Sequence, residues 1–206
     1  MRGLLLILAT YLLALPVWAQ AFQYKKNRYT LDYKRQGHTQ ELRFKGSLIV
    51  ASGEKKSELY SVLENRVLEG LDTRIVLDVF GGDLAVVNRM YDILRSKCHD
   101  RGSQQCTITT QVEMFRYCAS ACIPLFMVGD KRIAAERSSW GFHQAAILGG
   151  YVMLPFMSEY VLREKGVNAR WLKDNKELFS TLRVTWFEPR ELNGSGIVTH
   201  IIQHPR

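Results

Sequence analysis

Polar and apolar side chains alternate along residues 22–47, with Tyr29, Leu31 and Tyr33 on one stride and Leu42 and Phe44 on another. A period of two puts such residues on one face of a strand, so this stretch predicts an antiparallel ribbon. Residues 46–51 read as a strand entering the core. Leu59, Val62, Leu63 and Val67 recur at helical spacing within 54–69. The run RIVLDVF at 74–80 predicts a buried strand, broken by Gly81-Gly82. Asp83 can then cap a helix reaching about 97, with Val86, Val87, Met90, Ile93 and Leu94 inward.

The second half continues the alternation. Residues 107–112 predict a β-branched strand, and 119–128 a short buried helix stopped by Gly129. Short strands are expected at 132–135 and 140–142, and an amphipathic helix over 153–165 carries Met153, Phe156, Met157, Tyr160 and Val161. A helical turn at 188–192 and a strand at 196–202 close the pattern. Strands alternating with helices predict an α/β fold built from right-handed βαβ crossovers, with a largely parallel sheet and outer helices. No repeat, low-complexity stretch or linker divides it. The expected organisation is a signal peptide at 1–19, an N-terminal β-ribbon extension at 20–45 and one α/β domain over 46–206.

The signal reading rests on the first residues. Met1-Arg2 gives a short positive start, and an apolar run over 3–15 follows. Val17 and Ala19 are small enough for a signal peptidase site, with Ala19-Gln20-Ala21 as a second register. The run is short for a membrane span, which needs about 20 residues, although an uncleaved anchor is the competing reading. A periplasmic or secreted protein without a stable membrane anchor is expected. Its 206 residues suit one domain, and the 47% hydrophobic content is that of an ordinary globular chain. Lys and Arg exceed Asp and Glu by 28 to 20. The densest basic cluster, Lys25 to Arg28, is too slight to predict a nucleic-acid partner, and a solvated basic surface is the simpler reading.

Four cysteines, Cys98, Cys106, Cys118 and Cys122, fit an exported chain with two disulfides. Three connectivities are open. Proximity favours Cys98–Cys106, leaving Cys118–Cys122. That second pair bridges only if Cys118 precedes the helix, because i and i+4 positions on a regular helix are held apart. The spacings do not form paired CxxC knuckles, so no metal is expected. No other cofactor is implied.

Three segments can carry chemistry. The Gly81-Gly82 turn between a strand and a helix exposes backbone amides that can bind an anion or a developing oxyanion. Ser120, flanked by Ala119 and Ala121 at a helix start, is either a cap or a nucleophile in a favourable field. His143, at a strand end one element later, is either structural or the general base for Ser120. His38, His99, His200 and His204 fall in ribbon, loop or tail positions.

Taken together, LDVFGGDLAVVNRMYDIL, YCASACIPLFMVGDKRIAAERSSWGFHQ and FEPRELNGSGIVTHII resemble the Clp protease proteolytic-subunit and crotonase superfamily. Within it they resemble the exported Clp-like serine proteases of bacteria, over roughly 46–202. The resemblance implies a Clp/crotonase-like superhelical α/β fold. It implies Ser120 as nucleophile, His143 as base, and the amides of Gly82 and Ala121 as oxyanion hole. Peptide or protein substrates and a homo-oligomer are implied with it, the late apolar helix offering a contact surface. Two positions depart from the pattern. The triad aspartate would fall near Val184 or Thr185, where no carboxylate stands. Glu188, Asp174, Glu177, Thr185 or a backbone carbonyl are the available substitutes. Phe80 replaces a proline before the paired glycines. With no Walker-type motif and no ATP outside the cytoplasm, no ATPase partner is expected. The alternative function is a catalytically inactive Clp-like binding or assembly module. A crotonase-type acyl-CoA enzyme is a third reading, and a cysteine nucleophile at Cys118 or Cys122 a fourth.

Overall fold

A computed structural model supplies the coordinates, and the residues described are 19–25, 28–49, 56–99, 106–147, 152–154 and 157–203. Residues 1–18 of the signal peptide expected at 1–19, and the Lys26-Asn27 part of the basic cluster, lie outside them. The ribbon is three strands, β1 (Ala19–Lys25), β2 (Tyr29–Gln36) and β3 (Thr39–Leu48), paired antiparallel in sequence. The boundary expected at 45/46 falls inside β3, which pairs parallel with β4 (Asp72–Gly82) from Thr39 to Leu48. The strand at the core entrance therefore starts at 39 rather than 46, because Leu42, Phe44 and Leu48 share one buried face.

Between β3 and β4 lies helix α1 (Lys56–Arg66), and α2 (Leu84–His99) follows β4. Val86, Val87, Met90, Ile93 and Leu94 are all buried, as their spacing predicts. Asp83 caps α2, its Oδ1 accepting from the amides of Ala85 at 2.8 Å and Val86 at 3.4 Å. Then come β5 (Ile108–Val112), β6 (Tyr117–Ala119), α3 (Cys122–Phe126), β7 (Lys131–Ala135) and β8 (Ser139–Phe142).

Among the described residues the main sheet has ten strands, and it bends. Residues 73–77 of β4 pair parallel with β5, and Val79 then pairs with Cys118 of β6. In the same way β7 continues into β8, with β5 parallel to β7 and β6 parallel to β8. Two hydrogen bonds carry the ladder across the break. Phe115 N donates to Arg137 O at 3.1 Å, and Ser139 N donates to Arg116 O at 2.9 Å. At the same level β3 has a register shift after Gly46, where φ is +105° and a Cβ would lie 2.2 Å from Arg28 O. A bulge of this kind bends a strand and sharpens its twist. The result is a lower tier of β3, β4, β5 and β7, and an upper tier formed by the end of β4 with β6 and β8.

The core fills the face of the sheet toward α1, α2 and α3. Phe126 and Trp140 are fully buried and meet edge to face, centroids 4.7 Å apart. Trp140 Nε1 donates to Ser138 Oγ at 3.0 Å, so its polar end is satisfied.

Three expected elements have different bounds in the structure. The helix expected at 119–128 is α3 alone, since Ala119 stays in β6. The stretch 153–165 contains both strand β10 (Val152–Leu154), paired with β9 (Ala145–Ile147), and helix α4 (Met157–Glu164). Phe156 lies outside the described residues, and Tyr160 is exposed while Val161 is buried. The closing strand β12 spans only His200–Ile202, parallel to β7. Before it, the half-buried Arg132 donates to the carbonyls of Gly129, Gly196 and Ile197, fixing residues 196–199 without a ladder. Helix α5 (Ala169–Asp174) and strand β11 (Thr185–Phe187) carry too little periodic signal to be read from sequence. Asn168 caps α5, and β11 pairs antiparallel with β8.

Candidate active site

Ser120 follows β6 directly and has φ of 56°, in the left-handed region that favours glycine. Three local contacts hold it there. Its amide donates to Gly141 O at 2.9 Å, and its carbonyl accepts from Ile123 N at 3.0 Å as α3 begins. The Cys118–Cys122 disulfide spans the turn, tying the residue before Ala119 to the first residue of α3. Cys118 thus precedes the helix, as that pairing requires. The other bridge is Cys98–Cys106.

The Gly81-Gly82 turn lies against this serine. Gly81 has φ of +136°, and a Cβ there would lie 3.2 Å from Ser120 Cβ and 3.6 Å from Ser120 Oγ. A Cβ at Gly82 would meet Leu48 O at 2.6 Å, while the next amide, of Asp83, donates to that carbonyl at 3.1 Å. Both glycines are therefore required by close approach, one toward the serine and one toward β3. Ala121, buried, stands at the N-cap of α3 in helical conformation.

His143 leaves the upper tier at the same end as Ser120. Strands β6 and β8 are parallel with Ala119 opposite Gly141, so the residues following each emerge side by side. His143 Nδ1 lies 2.6 Å from Gln144 O. A carbonyl can only accept, so a hydrogen bond there is donated by Nδ1. A neutral ring bonded in this way has its lone pair on Nε2, the arrangement a general base requires. The position expected for a triad aspartate is next to it. Thr185 pairs with Phe142, and Val184 precedes it beside His143. Among the substitutes, Glu188 takes part in a capping box with Glu191. Asp174 faces Arg170 at 3.8 Å across α5, and Glu177 belongs to the short 3-10 turn Lys176–Phe179. A backbone carbonyl, that of Gln144, bonds the ring.

The fold that carries these residues has a solved counterpart. The fold is Clp-protease-like. The chain is similar to the ClpP protease catalytic domain from Plasmodium falciparum, with a TM-score of 0.51 and 15% identity over 78% of this chain and 85% of that one. Neither the family models nor the curated proteins include a match to the sequence. At that identity the likeness is one of fold, a curled and mostly parallel sheet with helices.

Three residues near the site escape sequence reasoning. Gly81 carries the contact with Ser120, which a Gly-Gly pair does not assign to either member. Gln144 supplies the ring's acceptor through its backbone, where residue type gives no signal. Gly141 has no room for a side chain, since a Cβ would lie 2.8 Å from Ala119 Cβ, 2.9 Å from Val184 Cγ1 and 3.0 Å from Trp186 Cζ3. A glycine inside a strand was the available sign. Among the described residues no group of three acids, histidines or cysteines could hold a metal.

Proposed function

We propose that this chain is an exported serine hydrolase that cleaves peptide bonds without a cofactor or an ATPase partner. The observation that carries the reading is Ser120 held in a left-handed turn against Gly81, at the same sheet end as His143, whose Nδ1 meets the Gln144 carbonyl. The Clp-protease-like fold supports the same chemistry.

In this mechanism Ser120 Oγ attacks the carbonyl carbon and His143 Nε2 takes its proton. The carbonyl oxygen becomes an oxyanion facing the amides of Gly82 and Ala121, each donor of this kind contributing about 3 kcal/mol. Collapse breaks the C–N bond, and His143 returns the proton to the leaving amine. Water then attacks the acyl-enzyme by the same route. The Gln144 carbonyl fixes the tautomer, which is one of the roles of the missing aspartate. It is a dipole rather than a charge, so it stabilises the imidazolium less, and a slow enzyme is expected.

Two disulfides support export, and no helix among the described residues is long and apolar enough to cross a membrane. The signal at 1–19, the ribbon at 20–45 and a homo-oligomer belong to the same proposal. Val184 beside His143 favours a second reading, a catalytically silent binding or assembly module of the same fold. Fluorophosphonate labelling with peptide mass mapping separates the two. The hydrolase gives an adduct on Ser120 that falls about a hundredfold or more in His143→Ala. A folded native protein with no adduct supports the silent module.

A further inference from the structure

The sheet face turned away from the core is polar through the lower tier and changes character beside Ser120. Arg43 bonds Glu41 at 2.6 Å and Glu113 at 3.1 Å, and Arg74 bonds Gln111 at 2.7 Å. Arg116 and Asp78 pair at 3.3 Å. One step further along the same alternation come Phe80, Tyr117 and Trp186, exposed at 53%, 37% and 47%. Phe80 stacks on Tyr117 with centroids 4.5 Å apart, and Trp186 meets Tyr117 edge-on at 6.0 Å. Leaving three large rings half in water is costly, at about 25 cal/mol per Å² of apolar surface. The patch is joined to the site by the chain itself. Phe80 precedes Gly81, Tyr117 lies three residues before Ser120, and Trp186 rests on Gly141, whose carbonyl holds the Ser120 amide.

We propose that Phe80, Tyr117 and Trp186 form a subsite for an apolar side chain of an extended peptide whose bond is presented to Ser120. This rests on the hydrolase reading for its chemistry, but its binding claim is separable. Tyr117 is about 10 Å along the strand from Ser120 at roughly 3.3 Å per residue. The subsite therefore takes a side chain two or three residues from the reacting bond, not the one at it. Its size argues for a side chain rather than a second subunit. Three rings of about 200 Å², half exposed, offer about 300 Å², well short of the roughly 800 Å² per partner of a stable interface.

The test is calorimetric titration of the full chain carrying Ser120→Ala with acetyl-Ala-Phe-Ala-Ala-amide and its Ser-for-Phe counterpart. The Phe peptide should bind about tenfold more tightly. That preference should fall below about threefold in Phe80→Ala/Trp186→Ala, with the melting temperature within about 3 °C because both side chains are exposed. Equal affinities, no binding of either peptide, or a preference unchanged in the double variant would overturn the subsite. So would sedimentation showing that the double variant only dissociates an oligomer. Fluorophosphonate labelling of the native chain separates the two readings. Labelled Ser120 without Phe preference removes the subsite and keeps the hydrolase. Phe preference without labelling keeps the peptide dock and removes the hydrolase.

Discussion

The backbone of Gly81 lies against the side chain of Ser120 so closely that a single added carbon would stand 3.2 Å from Ser120 Cβ. The Gly81-Gly82 turn and the turn that holds Ser120 are thus one packed unit. They are brought together by β4 and β6 pairing at Val79 and Cys118.

Gly81→Ala disturbs this unit in two ways. The φ of +136° is unfavourable for any L side chain, and the new methyl presses on Ser120. A loss of about 1–3 kcal/mol is expected by chemical denaturation, together with a fall of tenfold or more in Ser120 labelling. Normal labelling at reduced stability would show that the contact serves folding alone.

Ser120 itself stores strain, its φ of 56° being one that glycine adopts freely. Ser120→Gly should therefore be more stable than Ser120→Ala by about 1 kcal/mol. In a domain of this size that is roughly 2–4 °C in melting temperature. Equal melting temperatures would mean that the turn relaxes when the hydroxyl is removed.

The two disulfides close loops with sequence separations of 8 and 4. Chain-entropy arguments give each roughly 2 kcal/mol of stabilisation. Their effects on the site should differ. Cys118→Ala/Cys122→Ala should lower Ser120 labelling severalfold, while Cys98→Ala/Cys106→Ala should lower stability and leave labelling intact. Comparable labelling in both would remove the Cys118–Cys122 bridge from the presentation of Ser120.

Asp130 links α2 to the lower tier. Its carboxylate accepts from Arg95 at 2.7 Å and from Ile108 N at 2.9 Å, with His99 at 3.3 Å. Burial works to raise its pKa, but the Ile108 amide, the Arg95 guanidinium and His99 outweigh it, and the net shift is downward. A carboxylate lowered on folding adds stability above its unfolded pKa, near 3.9, and loses it as pH falls through the folded value. Acid titration of stability should show this loss in the native chain, and Asp130→Asn should flatten it. An unchanged acid limb in the variant would assign the loss to other carboxylates.

Much of the architecture was legible because it follows from periodicity. The apolar run at 74–80, the two glycines and the stripe from Val86 to Leu94 predict a strand, a turn and a helix from local chemistry alone. Ser120 and His143 were legible as candidates by their residue types and small neighbours. Proximity favoured the observed pairing of the four cysteines but left three connectivities open, and the structure decided among them. Residues 153–165 misled, because apolar residues there fit a helix as well as a hairpin strand followed by a helix. Strand β11 was missed because three residues carry no period, and it exists through its pairing with β8.

Sequence alone determined which segments could be strands and helices, since those preferences are set by side-chain spacing and by glycine. It also singled out Ser120 and His143 as the candidates for the proposed chemistry, by residue type and small neighbours. Only the tertiary structure decided the bend that divides the sheet into two tiers, because that depends on β4 pairing first with β5 and then with β6. The same pairing decided which glycine touches Ser120 and which carbonyl orients His143. Those relationships are made by backbone atoms that every residue possesses, so no residue type announces them.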